Sequence, residues 1–119
     1  MDKNYYIEFD FSPEVIKIML LALDREISCH LAVDCSDETS RPAWYDPNDL
    51  YIYQGGRSWL LSLEPGVQQL DVTKFGKQFA FLLMAVRSYL RDHEGSIDTV
   101  VVIALRCLLD EYADIQGRG

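Results

Sequence analysis

Two thiols and an imidazole lie close together at Cys29, His30 and Cys35, and these are the residue types that hold metals or attack substrates. A structural zinc site needs four such ligands, usually as two close pairs. Only His93 and Cys107 remain to complete a set, and their spacing brings them near nothing. Small thiols at a helix end are the simpler reading. A Cys–His nucleophile fares no better, because neighbours on a helix point about 100° apart and do not face each other. The chain has no GxxxxGK[ST] phosphate loop and no GxGxxG dinucleotide loop. The expectation is a protein without catalysis, metal or cofactor.

Binding chemistry is better represented. The stretch DCSDETSRPAWYDPNDLYIY, residues 34–53, gathers carboxylates and aromatic rings around one basic residue, Arg41. Tyr and Trp anchor interfaces because they bring rigid apolar area and a polar tip. Carboxylates beside them would steer a basic partner in. The candidate partner-binding residues are Asp34, Asp37, Glu38, Trp44, Tyr45, Asp46 and Asp49, with Tyr51 and Tyr53 secondary. Asp110, Glu111 and Asp114 would extend the patch if the fold brought them near.

The whole chain fits that reading. Its 119 residues carry a net charge of −8, which repels nucleic acid and anionic membrane on average. Three cysteines at irregular spacing suit free thiols in a reducing compartment. The acidic start MDKNYYIEFDF lacks the apolar run of a signal peptide. FAFLLMAV at 79–86 is far too short to span a bilayer. A cytoplasmic protein is expected.

The elements that position these residues follow from periodicity. Residues 4–11 alternate as a half-buried strand, with Tyr5, Ile7, Phe9 and Phe11 on one face. Ser12-Pro13-Glu14 starts a helix that reaches the high twenties or low thirties. Residues 27–33 also alternate, so helix and strand both remain open there. A loop covers 34–49. Strands near 50–54 and 58–64 are predicted to form a hairpin around Gly55-Gly56, closed by Pro65-Gly66. Asp71 or Thr73 caps a helix striped by Phe75, Phe79, Leu82, Leu83, Val86 and Leu90. Gly95 suits a left-handed C′ position, and Ser96 caps a last helix from 97 to about 114. VVVIAL at 100–105 is apolar on every side, so it should be buried all round as the central helix or meet another subunit in part. The expected fold is α+β over 1–119 as a single domain. It has a three-stranded antiparallel sheet, three helices and the order β-α-β-β-α-α.

Small, acidic and without enzyme motifs, with an Asp-Trp-Tyr-rich loop, the chain resembles bacterial toxin-immunity proteins. These are the inhibitors encoded beside contact-dependent growth-inhibition toxins and other polymorphic toxins. The resemblance is one of character across the whole length, so it carries over no residue roles. It implies a protein that occludes the basic active site or substrate surface of a cognate toxin domain, a nuclease above all. The alternative is an acidic secretion chaperone or adaptor that binds a client segment as a homodimer, with the last helix at its interface.

Overall fold

The computed structural model describes residues 6–33 and 42–118, apart from the side chains of 73–75 and 117–118. Asp34, Asp37 and Glu38 lie outside the described residues, as do Tyr5, Cys35 and Arg41. The architecture is α+β and mostly helical. In chain order it runs β1 (Tyr6–Phe11), α1 (Pro13–Leu31), α2 (Pro47–Ser62), β2 (Gly66–Asp71), α3 (Val72–His93), a 3₁₀ turn (Glu94–Ser96) and α4 (Thr99–Arg118).

β1 forms where the alternation predicts it. Ile7 and Phe11 are fully buried, while Tyr6, Glu8 and Asp10 face out. Ser12 then caps α1, its Oγ accepting the Val15 amide at 3.2 Å, with Pro13 in the first turn. α1 buries Val15, Met19, Ala22, Leu23 and His30 along one stripe. Its run to Leu31 makes 27–31 helical rather than extended.

The predicted hairpin is instead a helix, α2. Asp46-Pro47 repeats the start signal of Ser12-Pro13, and Asp46 Oδ1 accepts the Asn48 amide at 2.9 Å. Alternation over so few residues cannot separate strand from helix; at helical spacing Tyr53, Gly56 and Leu60 form the buried stripe. Gly55 and Gly56 adopt no positive φ. They permit close packing. A Cβ on Gly55 would lie 2.7 Å from Gln78 Nε2, and one on Gly56 would lie 3.7 Å from Leu23 Cδ1.

The second strand is Gly66–Asp71, which Pro65-Gly66 opens rather than closes. It pairs antiparallel with β1 from Phe11↔Gly66 to Tyr6↔Asp71, setting Leu70 against Ile7. Among the described residues the sheet therefore has two strands rather than the three expected, and the order is β-α-α-β-α-α.

In α3 the stripe Phe79, Leu82, Leu83, Val86 and Leu90 is buried as its spacing predicts. Gly76, at φ 51° and ψ −128°, kinks the helix after its first turn. Gly95 is not left-handed; the chain turns through the 3₁₀ segment instead. Asp98 rather than Ser96 caps α4, accepting the Val100 amide at 2.9 Å, while Ser96 Oγ donates to the His93 carbonyl. α4 is not buried all round. Val101, Val102, Leu105 and Leu108 face the core, but Val100 is 74% exposed and Ile103 56%. Among the described residues no helix is long and apolar enough to cross a membrane.

Candidate functional site

α1 and α2 pack together, and the chain entering α2 makes a turn in which the Tyr45 amide donates to the Pro42 carbonyl at 3.0 Å. That turn sets Trp44 and Tyr45 against His30, in the last turn of α1. The His30 ring lies 5.1 Å from Trp44, edge-on, 6.0 Å from Tyr45 and 5.4 Å from Tyr53 of α2. Tyr53 in turn meets Phe81 of α3 at 5.4 Å. Three rings thus box an imidazole that is only 5% exposed.

His30 Nδ1 lies 2.8 Å from the Glu26 carbonyl oxygen. With Nδ1–H donating there, Nε2 of the neutral ring is a bare acceptor, and it has no partner among the described residues. Sequence reasoning missed this box. The signal was present, since His30 falls seven residues after Leu23 on the buried stripe of α1.

The candidate residues divide by environment. Trp44 is 54% exposed and Tyr51 71%, so both present open aromatic surface. Tyr45 and Asp49 are half-buried, and Asp46 is exposed. Asp46 and Asp49 also have local structural work, as the cap and first-turn acid of α2. Tyr53 is buried, and its hydroxyl is pushed up to about 12, first by burial and then by the negative charges of Glu26 and Asp49. Glu26, absent from the sequence-based set, therefore adds its charge to this junction. Asp110 lines a groove between α3 and α4, and Glu111 one between β1 and α4. These two acids belong to other faces.

Basic side chains near the junction are already engaged. Arg57 of α2 donates to Asp24 of α1 at 2.7 Å. Arg25 of α1 pairs with Asp92 of α3, and the hydrogen bond raises the guanidinium and lowers the carboxyl from their ordinary values. Cys29 and Cys107 are exposed free thiols. Among the described residues no three His, Cys, Asp or Glu side chains gather as a metal site. The α1–α2 junction offers an indole, phenols and carboxylates, which are groups for binding a cationic, partly apolar surface.

Neither a scan of protein-family models, nor a search of curated proteins, nor a search of solved structures returns a match for this chain.

Proposed function

We propose that this chain is an immunity protein, which binds a cognate bacterial toxin domain, a nuclease with a basic active site, and blocks it without turnover. The observation that supports this reading is the exposure of Trp44 and Tyr51 beside Asp46 and Asp49 at the start of α2. Exposed rings among carboxylates, on a molecule of net charge −8, suit a basic protein partner. The rings hold and the charges guide. Tyr53 supports the surface from beneath.

The test uses the toxin domain encoded next to this chain, with binding kinetics and growth protection as readouts. Trp44→Ala is expected to raise the dissociation rate by the equivalent of about 2 kcal/mol. Asp46→Asn with Asp49→Asn is expected to lower the association rate and flatten its salt dependence. A folded variant altered at Trp44, Tyr45, Asp46 and Asp49 together that protects as well as the parent would sink this assignment of the surface.

A further inference from the structure

We propose that the groove between α3 and α4 is a second docking surface, which takes a short amphipathic helix bearing carboxylates from a partner protein. It goes beyond the immunity reading and shares no residue with the α1–α2 face. Two hollows of about 570 and 660 Å³ run along this seam. They share Met84, Arg87, Arg106 and Leu109, so they form one continuous groove.

The floor is apolar, built from Leu83, Met84 and Leu109. Met84 is 60% exposed, a flexible apolar side chain standing in water midway along the groove. The polar wall carries three guanidiniums, Arg87, Arg91 and Arg106, against two carboxylates, Glu94 and Asp110, a basic excess in a chain with 11 basic residues against 19 acids. Their present engagements are solvent-exposed. Arg106 reaches Glu94 at 2.6 Å, and Arg91 reaches Asp92 and Ser88 at 3.5 Å. Arg87 has no ion pair among the described residues. Exposed pairs hold little energy, so these guanidiniums are free to exchange onto a partner.

Charge selects the occupant. A basic segment, which the chain's net charge attracts, meets at this seam three guanidiniums against two carboxylates and is disfavoured there. A segment with carboxylates gains charge-assisted, bidentate hydrogen bonds from Arg. A second copy of this chain is disfavoured by the mutual repulsion of two molecules of charge −8. Shape selects the form. The α3 wall runs from Ala80 to Arg91, about three helical turns. A seam between two helices with an exposed apolar row suits a helix laid in a groove.

The test titrates the isotopically labelled full chain with a synthetic amphipathic helix of about 14 residues, leucine on one face and glutamate on the other. A control peptide carries lysine in place of glutamate. The glutamate peptide is expected to shift the backbone amide signals of 80–91 and 106–113 saturably, and the lysine peptide to leave them unmoved. Arg87→Glu combined with Arg106→Glu should weaken binding about tenfold or more. Met84→Ser, which leaves every charge in place, should weaken it as well. No shift in these segments at ~1 mM peptide, or equal binding of the lysine peptide, overturns the proposal. So does sedimentation showing a dimer that Met84→Ser dissociates, since the occupant is then a second copy.

Discussion

Asp46 caps α2 with a carboxylate that also stands exposed two residues from Trp44. Asn caps a helix about as well as Asp, so Asp46→Asn separates the cap from the charge. Stability should hold while any charge-guided association slows. Tyr53 gives the fold a pH dependence of definite sign. Burial holds its hydroxyl at about 12 against an ordinary 10.0, so folding favours the neutral phenol. That contribution is complete below pH 10 and is lost as pH rises from 10 through 12. Denaturation midpoints should therefore fall faster over this window for the parent than for Tyr53→Phe; parallel decline would show that Tyr53 ionises as freely folded as unfolded. At this scale the sequence was legible where a residue's type dictated its place. Trp44, a partner-binding candidate by its type and acidic neighbours, is exposed. Tyr53 could not be sorted from Tyr51 without knowing the period of its element, because a strand puts both on one face and a helix parts them.

That period was the main thing the sequence hid at the scale of elements. The alternation of 50–53 reads as a strand and Gly55-Gly56 as a turn, while the start signal Asp46-Pro47 lies inside what reads as a loop. The backbone of the two glycines gives a direct test. In a helix at negative φ, alanine improves on glycine. Gly56 has only ordinary contacts awaiting a methyl group. Gly56→Ala should therefore raise the unfolding free energy by about 0.5–1 kcal/mol. Gly76→Ala, at φ 51°, should lower it by about 1 kcal/mol or more. Chemical denaturation reads both, and a loss at Gly56 would point back to a turn. α1 and the body of α3 were legible because their apolar stripes run for several turns. β2 was not, since only Leu70 of its six residues is buried. In α4 the run VVVIAL hid its inward face by being apolar everywhere, and the structure leaves Val100 and Ile103 outside.

Across the described residues, one core joins the inner face of the sheet to the four helices, and Phe79 belongs to it at 2% exposure. Phe79→Ala should cost about 3–5 kcal/mol in urea unfolding; a loss under about 1 kcal/mol would place α3 elsewhere. Ion pairs tie α1 to α3 through Arg25–Asp92 and α2 to α1 through Arg57–Asp24. The pairing of β1 with β2 carries a kinetic consequence. Phe11 meets Gly66 and Tyr6 meets Asp71, so the ladder closes a loop of roughly sixty residues that contains both α1 and α2. Helices form from neighbours, whereas this ladder must wait until distant chain segments are brought together. The sheet should zip up after the rate-limiting barrier, and it should be among the first parts to open. Leu70→Ala is then expected to steepen little but the unfolding side of the kinetics, accelerating escape from the native state while the refolding rate stays near that of the parent. Stopped-flow refolding that slows in proportion to the lost stability would instead put the strand pair in the folding nucleus.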